Sequence, residues 1–476
     1  MKTFDNLVIG GGFAGLYAAL RLVQSGQSVV IVDQAPEVGG LLRSECLKDA
    51  SGRNFWFDLG THFLLIPGDE VIGADLLSVV NSDDWLWFDK SLNEGHVYGD
   101  RLIRDTGCLD LTQTVNYRDY VADFLLAPGE GQDAATLEQR WNLDFGARLQ
   151  REHLAAVCRK LTGRAPAELS AQAFDVFAPH RFKLVDGQVS AALKASPSVD
   201  RRLAYANRRM GKSNIIKGYP RGGLGVGLFI DGLVQTLRAS GVEIVTSAKL
   251  LGFEWVDGKP TKTTLGTADG PRVIAFDRIV TALAPAPLAR ILEVEVPAAP
   301  FAARNLELLH FVADGPLAVN DLHWITVYEP SMRSFRITLY DNVAAADPAR
   351  PRITVEVASD RGEDTAPLAG LIAAELARMG LIEDASRVSL LGTTTLPVAL
   401  PILLPGWKPA LEAQSQAIRA AVPNLLALGP ANGKPFGQLG LLADIASRIA
   451  RPSRTMEPSA GEARSERSRG SRTAFN

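Results

Sequence analysis

A glycine-rich turn near the N-terminus constrains the fold of this chain more than any other feature. The apolar residues 7–9 are followed at once by Gly-Gly-Gly-Phe-Ala-Gly at positions 10–15, and residues 16–23 then repeat apolar side chains with helical spacing. This order predicts a strand, a tight turn and an amphipathic helix. Glycine-rich turns of this spacing also occur by chance, so the turn gains its meaning from the elements on either side of it.

Three glycines of the turn have distinct structural roles in such a unit. Gly10 permits the tight turn, Gly12 lets the backbone approach a pyrophosphate, and Gly15 allows the helix to pack closely on the strand. The helix N-terminus, at Phe13 and Ala14, carries a partial positive charge that faces the anion. The sequence therefore predicts a dinucleotide site at this turn.

The second strand narrows the choice of dinucleotide. Residues 28–32 form another apolar β run that ends at Asp33, whose carboxylate is placed to accept hydrogen bonds from a ribose. An acid at this position would repel the additional 2′-phosphate of NADP. Strand, turn, helix, second strand and acid together leave FAD or NAD as the ligand.

The segment after Asp33 resembles flavoproteins rather than NAD dehydrogenases. It contains Gly39, Gly40 and Arg43, which match the GGxxR motif of the flavin amine oxidase superfamily position by position. Residues 57–63, Phe-Asp-Leu-Gly-Thr-His-Phe, resemble the FDxG loop that lies near the flavin in that superfamily. The resemblance implies FAD as the cofactor, with the glycine pair close to it and the arginine beside the pyrophosphate.

Three later segments extend this resemblance, at residues 219–245, 276–285 and 424–442. In the superfamily they supply, in turn, a helix beside the flavin, the strand that completes the nucleotide-binding sheet, and the strand and helix that hold the isoalloxazine end. The first segment leads to Leu250, whose backbone is implied to meet the adenine. The helix near Gly440 is implied to direct its positive N-terminus at the pyrimidine side of the flavin.

The implied cofactor contacts therefore come from distant parts of the chain. They are Gly10, Gly12, Phe13, Ala14, Gly15, Asp33, Gly39, Gly40, Arg43, Gly60, Thr61, His62, Leu250, Gly429, Gly440, Leu441 and Leu442. No clustered metal ligands accompany them, so no metal is expected.

Within the superfamily the sequence resembles protoporphyrinogen oxidase-like proteins and relatives of UDP-galactopyranose mutase, often associated with sugar biosynthesis. Residues 146–181 resemble their helical insertion, and residues 323–336 and 342–357 resemble strands of their substrate domain. The aromatic-rich closing motif of true mutases is missing around residues 429–442. The resemblance implies oxidation of a small organic substrate, in sugar or secondary metabolite biosynthesis, by transfer of a hydride or two electrons to flavin N5. A redox-neutral, mutase-like nucleotide-sugar isomerase is the alternative, and a flavoprotein without turnover is a third hypothesis.

The motif order predicts an α/β protein with two interleaved domains. A Rossmann-type FAD-binding domain takes residues 1–90, 211–285 and 400–450, and an inserted α+β substrate (cap) domain takes residues 91–210 and 286–399.

The two insertions differ in pattern, and the chain ends in a polar tail. Residues 137–161 have helical periodicity, whereas residues 325–328 and 353–357 are β-like runs. Residues 451–476 are rich in Ser, Arg, Glu and Gly and nearly free of large apolar side chains, so a disordered tail is expected.

Four side chains are candidates for catalysis or substrate contact: His62, Tyr219, Arg221 and Arg336. The histidine adjoins the flavin loop, so it can hydrogen-bond to cofactor or substrate, or it can serve the structure alone. Arginine suits a carboxylate or phosphate, although surface salt bridges are its commoner fate. The sequence leaves the catalytic residues undecided.

Composition excludes several other classes of protein. Hydrophobic residues make up 46% and charged residues 22%, and the formal net charge is −3, which favours a soluble globular protein and argues against a nucleic-acid partner. No apolar run approaches the about 20 residues that span a bilayer, and no secretion signal is recognisable. Trp85, Trp87, Trp141 and Trp324 are interpreted as core residues.

The cysteines and the remaining glycine motif narrow the chemistry further. Cys46, Cys108 and Cys158 form no CxxC pair, which argues against a disulfide reductase and favours a reduced, cytoplasmic protein. Residues 222–227 do not complete a second GxGxxG motif, so a built-in NAD(P)H domain is not expected. A small-molecule substrate is the expected partner, and the sequence leaves a homo-oligomer open.

Overall fold

The N-terminal strand lies inside a seven-stranded sheet, called the first sheet, in the part of the chain that the structure describes. The computed structural model describes residues 2–88, 92–173, 181–204, 215–344, 346–432 and 437–450. With strands numbered along the chain, the first sheet contains β1 (Thr3–Ile9), β2 (Val29–Val32), β12 (Glu243–Val245), β13 (Lys249–Val256), β14 (Lys259–Thr267), β15 (Gly270–Thr281) and β21 (Leu425–Ala427).

Parallel pairing brings the carboxyl ends of five described strands to one edge of the first sheet. Strand β1 lies between β2 and β15, β12 lies beyond β2, and β21 pairs with β15, all in parallel register. Strands β13 and β14 extend the sheet as an antiparallel hairpin. Ligands of such sheets bind in the crevice at the carboxyl ends of the parallel strands. The turns after β1, β2, β15 and β21 therefore border the expected cofactor site.

The first sheet is buried on both faces, and its central strand β1 contributes apolar side chains to both of them. In β1, Val8 joins the core on one face, whereas Leu7 and Ile9 join the core on the other. One face is covered by α1 (Phe13–Gln24), α9 (Gly227–Ala239) and α14 (Gln438–Arg448), and the other by α10 (Pro285–Leu292) and α13 (Trp407–Ala421). Helices on both faces of a mostly parallel sheet confirm the α/β class.

A second sheet of seven described strands contains the β-like runs of the later insertion. Its strand order is β20-β16-β19-β18-β17-β7-β8. These strands are β7 (Glu94–Tyr98), β8 (Arg101–Ile103), β16 (Phe301–Ala313), β17 (Trp324–Val327), β18 (Ser334–Leu339), β19 (Arg352–Ser359) and β20 (Val388–Leu403).

The two faces of the second sheet differ in polarity because successive side chains alternate across a strand. Leu309, Ile337 and Val355 pack in an apolar core with helix α12 (Leu368–Arg378) on one face. The other face, called the polar face, carries the side chains that alternate with these. They are Glu94, Trp324, Arg336, Thr338, Thr354 and Glu356.

The remaining elements are small. A three-stranded sheet has the order β5 (Leu64–Ile66), β11 (Ile216–Pro220) and β6 (Trp85–Phe88). Two-stranded sheets join β3 (Ser44–Lys48) to β4 (Asn54–Asp58) and β9 (Leu109–Asp110) to β10 (Phe182–Lys183). The other α-helices described are α2 (Glu70–Leu77), α3 (Tyr117–Leu126), α4 (Leu137–Phe145), α5 (Ala147–Leu149), α6 (Ala155–Thr162), α7 (Gly187–Leu193), α8 (Pro197–Asp200) and α11 (Tyr340–Val343).

The predicted helical stretch at residues 137–161 is broken near its middle. Helix α4 ends before Gly146, whose φ of 91° no helix can adopt, and a π-helical turn at Gln150–Leu154 leads into α6. Trp141 is buried in the core of these helices, as the sequence predicts. The expected tail at residues 451–476 lies outside the described residues.

A buried ion pair fixes three helices around the first sheet. Arg21 of α1 donates through Nη1 to Asp75 Oδ2 of α2 at 2.7 Å, and both side chains are at most 3% exposed. The same guanidinium donates through Nε and Nη2 to the carbonyl of Ile449 at 3.1 and 2.8 Å, at the C-terminal end of α14. Tyr17 adds a hydrogen bond to the carboxylate at 3.0 Å. The register of α14 therefore depends on this pair.

The substitution Arg21→Met should destabilise the protein strongly because it leaves the Asp75 carboxylate buried without this cation. A loss of about 3–5 kcal/mol in the free energy of unfolding is expected. The double variant with Asp75→Asn should lose less, since no buried charge remains. Urea unfolding of the three proteins checks this order, and equal losses in the single and double variants would contradict it.

Candidate functional site

The turn after β1 has an open space in front of a helix N-terminus. Gly10 needs to be glycine because its φ is 98°, and Gly15 because a Cβ there would lie 1.9 Å from the carbonyl oxygen of Gly10. Neither backbone conformation nor packing requires glycine at position 12, since its φ is −66° and a Cβ there would meet no atom within 4 Å. Gly12 precedes α1, whose first turn at Phe13 and Ala14 has no side-chain cap. Uncapped N–H groups beside open space fit a pyrophosphate.

Asp33 holds the end of β2 against this turn. Its Oδ2 accepts a hydrogen bond from the Gly11 amide at 2.6 Å, and its Oδ1 accepts one from the Ala35 amide at 2.8 Å. Each carboxylate oxygen can accept a further hydrogen bond. Asp33 can therefore hold a ribose hydroxyl while it fixes the glycine turn.

The glycine pair of the GGxxR motif lies directly beside the turn. The amide of Gly39 donates to the carbonyl of Gly11 at 2.7 Å, and a Cβ on Gly40 would lie 3.3 Å from the Cα of Gly12. Arg43 follows, and its Nη1 forms an ion pair of 3.4 Å with Glu37, which is 75% exposed. Such a surface pair contributes little, so the arginine can exchange it for a phosphate. The structure brings these predicted residues together.

The segment predicted for the flavin end closes the same edge of the sheet. The amide of Gly429 donates to Asp444 Oδ2 of α14 at 2.8 Å, and Leu441 packs against this glycine. Helix α14 begins at Gln438 without a side-chain cap, so Gly440 lies in its first turn. Leu442 is fully buried in the core, so only its backbone could meet a cofactor. Residues 433–436 lie outside the described residues.

Leu250 is the second residue of β13 and lies two residues after Ala248, whose amide donates to the carbonyl of Asp33 at 3.0 Å. It pairs with Leu265 of β14, and its side chain packs against the apolar core on that face. The implied contact with adenine therefore falls to its backbone and stays a prediction.

A buried carboxylate organises the loop at residues 57–63. Asp58 is fully buried and accepts hydrogen bonds from the Ser44 hydroxyl at 2.6 Å, the Tyr219 hydroxyl at 2.8 Å and the Val226 amide at 2.8 Å. A Cβ on Gly225 would lie 2.4 Å from this carboxylate. The glycine-rich segment at residues 222–227 therefore packs against Asp58 through Gly225 and Val226.

Burial raises the pKa of Asp58 from 3.8 to about 6, although the hydrogen bonds from Ser44, Tyr219 and Val226 oppose the increase. Desolvation of a fully buried carboxylate outweighs these donors. Asp58 therefore joins the loop at residues 57–63 to Ser44, Tyr219 and Val226, although burial disfavours the ionised form of its carboxyl group.

Thr61 and His62 lie against the polar face of the second sheet. The Thr61 amide donates to Glu356 Oε1 at 3.1 Å, and its hydroxyl bonds with that of Thr338. Glu356 is fully buried, and Arg336 donates to both of its oxygens, through Nε at 2.7 Å and Nη2 at 2.8 Å. Two of the four candidate side chains, His62 and Arg336, thus share one site.

His62 is a neutral base in this setting. Burial lowers its pKa, and the nearby Arg336 guanidinium lowers it further. Its Nε2 lies 3.0 Å from the carbonyl of Leu59, which can only accept, so Nε2 carries the proton. Among the described residues no hydrogen-bond partner is found for Nδ1, which is left as an acceptor.

Aromatic side chains extend the site along the polar face. The rings of Phe63 and Trp324 are 5.7 Å apart, and the Nζ of Lys217 lies 5.4 Å from the Trp324 ring. Trp324 and Trp87 are half-buried and pack against the apolar core, whereas Trp85 and Trp141 are fully buried.

The other two candidates for substrate contact have different roles. Tyr219 is 1% exposed and its hydroxyl is used by Asp58, because a buried carboxylate needs donors. Arg221 is exposed and donates through Nε to the carbonyl of Trp85 at 3.1 Å. Neither contacts Thr61 or the Arg336–Glu356 pair among the described contacts.

The site contains residues that the sequence did not single out, namely Asp58, Lys217, Thr338 and Glu356. The aspartate falls within a motif that resembles the superfamily, so it could have been found. The others depend on which loop meets which face of the second sheet, and no local pattern records that.

The parallel sheet, the open glycine turn and the acid after β2 define a dinucleotide-binding protein of the Rossmann type. A family model for flavin containing amine oxidoreductase matches residues 13–313. The chain belongs to this family of flavin-dependent oxidoreductases, and its cofactor is FAD. The resemblance stated from the glycine motifs is confirmed.

Curated relatives share only a short segment with the chain. It is 35% identical over 86 residues to a KsdD-like steroid dehydrogenase of Mycolicibacterium smegmatis, which is 18% of this chain and 14% of the relative. It is 41% identical over 61 residues to a 4,4′-diaponeurosporene oxygenase of Staphylococcus aureus, 13% of this chain and 11% of the relative. The chain thus matches less than a fifth of either relative's length.

Solved structures show the fold at low sequence identity. A reduced UDP-galactopyranose mutase has a TM-score of 0.64 at 14% identity and covers 90% of each chain. A protein from Exiguobacterium sp. 255-15, assigned as a protoporphyrinogen oxidase, has a TM-score of 0.65 at 15% identity and covers 94% of this chain and 98% of its own. Putrescine oxidase bound to putrescine has a TM-score of 0.56 at 14% identity, with 94% and 98% covered.

The described residues contain neither a helix that could cross a membrane nor a cluster of metal ligands. None of the helices there has the length and apolar character needed to cross a bilayer. Nor do three or more His, Cys, Asp or Glu side chains in that part of the chain come together as a metal-binding group.

The substitution Gly12→Val should abolish FAD binding while the protein still folds. A valine side chain would occupy the open space before α1, where the pyrophosphate is expected. Gly370→Val is the matched control, because its Cβ also meets no atom within 4 Å but lies on the exposed face of α12. Flavin absorbance of the purified proteins measures the effect, and a Gly12→Val protein that retains stoichiometric FAD would contradict the assignment.

The raised pKa of Asp58 predicts a distinct pH dependence of stability. A folded-state pKa of about 6 against 3.8 means that the folded protein binds the proton more tightly, so stability falls as pH rises through this window and is constant above it. Relative to Asp58→Asn, the wild type should lose about 2 kcal/mol in the free energy of unfolding between pH 4 and 6.

Urea unfolding of both proteins across this pH range measures the difference. Asp384→Asn is the control. Hydrogen bonds from Ser386 lower the pKa of that exposed carboxyl, so the stability of the wild type relative to this variant should rise with pH. A wild-type curve parallel to that of Asp58→Asn would contradict the prediction.

Proposed function

We propose that the chain is an FAD-dependent oxidoreductase that oxidises a small organic substrate between the loop at residues 57–63 and the polar face of the second sheet. The observation that carries the proposal is the contact of Thr61 with Glu356, because it places that loop against Arg336 and Trp324. Family membership supports the reaction type. A role in sugar or secondary metabolite biosynthesis is part of the proposal.

The cofactor is proposed to lie along the carboxyl edge of the first sheet. The turn at Gly12 and the first turn of α1 hold the pyrophosphate, Asp33 holds the ribose, and Gly39 and Gly40 allow close approach. When bound, the flavin supplies two-electron redox chemistry. The uncapped N-terminus of α14 provides a positive field for the negative charge of the reduced state.

His62 is proposed as the group that receives a proton from the substrate. Its Nε2–H is fixed by Leu59, so the lone pair of Nδ1 is the available acceptor. Its lowered pKa keeps the imidazole neutral near pH 7, which is the form that a base needs. Loss of a hydride and a proton from the same substrate completes a two-electron oxidation.

The helical and β insertions are proposed to form the substrate domain. Residues 91–210 and 286–399 supply the polar face and the helices beside it, and the segments at residues 1–90, 211–285 and 400–450 supply the cofactor domain. Strand β20 continues the second sheet to Leu403, so the later insertion is proposed to end near residue 403 instead of 399. A cytoplasmic location is proposed as well, supported by three cysteines without disulfides.

The test is anaerobic incubation of the FAD-loaded protein with substrates suggested by its relatives. The panel contains putrescine and other amines, protoporphyrinogen, a steroid, 4,4′-diaponeurosporene and UDP-galactopyranose. One class of substrate should reduce the flavin and so remove its visible absorbance. The substitution His62→Ala should slow the reduction of the flavin by about 100-fold or more. His62→Gln is the matched variant that keeps a hydrogen-bonding group.

Two results would contradict the proposal. Isomerisation of the nucleotide sugar that requires reduced flavin, with no net oxidation, would establish a mutase. Flavin that no member of the panel reduces would favour a flavoprotein without turnover.

A further inference from the structure

Arg336 is oriented by the buried carboxylate of Glu356. Glu356 is fully buried and receives the guanidinium through both oxygens, and its Oε1 also accepts the amide of Thr61. These bonds use the side of the guanidinium that contains Nε and Nη2. Because a carboxylate oxygen has few acceptor positions, Glu356 has little capacity left for a substrate.

The other edge of Arg336 is available for a ligand. Among the described residues no hydrogen-bond partner is found for its Nη1, and the side chain is 33% exposed. An arginine clamped through one edge loses little further freedom when its second edge binds an anion. Arg336 shares the Oε1 atom of Glu356 with the amide of Thr61, the residue before His62, so the guanidinium lies at the proposed substrate site.

Lys217 provides a second positive charge on the same side of the second sheet. Its Nζ lies 5.4 Å from the centre of the Trp324 ring, and no ion pair with a carboxylate is found for it among the described residues. Glu94 is nearby, but its Oε2 accepts the indole N–H of Trp324 at 3.1 Å. Phe63 adds apolar surface, with its ring 5.7 Å from that of Trp324.

We propose that the substrate carries an oxyanion, a carboxylate or a phosphate ester, joined to an apolar or aromatic body, and that Arg336 binds the oxyanion. The inference rests on the proposed function and deepens it. A protonated amine at this edge would meet the Arg336 guanidinium, and the carboxylate beside it is buried and already bound to Arg336 and Thr61, so the edge disfavours the amines that the family name suggests. Phe63 and Trp324 receive the apolar body.

The test compares four small benzene derivatives that carry different polar substituents. Benzoate, phenyl phosphate, benzylamine and benzyl alcohol are titrated into the FAD-loaded protein, and binding is followed by the change in the visible flavin spectrum. At least one anion should bind roughly tenfold or more tightly than the alcohol and the amine. The better of the two anions identifies the carboxylate or the phosphate. The inference fails if benzylamine binds as tightly as the anions, or if neither anion perturbs the spectrum.

Variants then assign the preference to Arg336. Arg336→Gln alone would leave Glu356 buried and unpaired, so the double variant Arg336→Gln with Glu356→Gln is used beside Arg336→Lys. In the double variant the ratio of anion affinity to benzyl alcohol affinity should fall about tenfold, while the affinity for benzyl alcohol changes less than about twofold. The Arg336→Lys protein should keep part of the preference for the anion. Arg333→Gln is the control, because Arg333 pairs with Glu363 at 2.6 Å, outside the site.

The two proposals fail in different ways. A wild-type protein that binds no FAD would refute the proposed function. A protein that binds FAD, and keeps its anion preference in the double variant, would refute only the role of Arg336.

Discussion

The buried carboxylate of Asp58 is the interaction on which the arrangement of the site depends. It accepts hydrogen bonds from Ser44, Tyr219 and the amide of Val226, and its own amide donates to the Tyr340 hydroxyl at 3.1 Å. A buried carboxylate without donors costs several kcal/mol, so the strands and helix that carry these donors must assemble together. The loop that follows is therefore held against the polar face of the second sheet.

Most of the first sheet could be predicted from the sequence because its signals are local. The glycine turn at residues 10–15 lies directly between β1 and α1, and Asp33 directly follows β2. The strands at residues 276–281 and 425–427 were marked by their own short motifs, and both pair in parallel within the first sheet. The hairpin of β13 and β14 was not foreseen, since it contains no motif of its own.

The polar side of the site could not be predicted because it depends on register between distant segments. Thr61 and Glu356 are 295 positions apart. The alternation around Glu356 indicates a strand with two unlike faces, but it does not say which loop the polar face meets. For the same reason Tyr219, which lies near a superfamily motif, was expected at the substrate and instead serves Asp58. Arg336 was named for its chemistry alone, and only the fold gives it a partner.

Hydrogen–deuterium exchange of the apoprotein and the FAD-reconstituted protein tests the central claim, that the cofactor lies across the carboxyl edge of the first sheet. FAD should slow amide exchange in peptides covering residues 10–16, 33–43 and 57–62, because their N–H groups border the cofactor. The outer strand at residues 388–396 should exchange at the same rate in both states. Unchanged exchange at residues 10–16 in a protein with bound FAD would contradict the account.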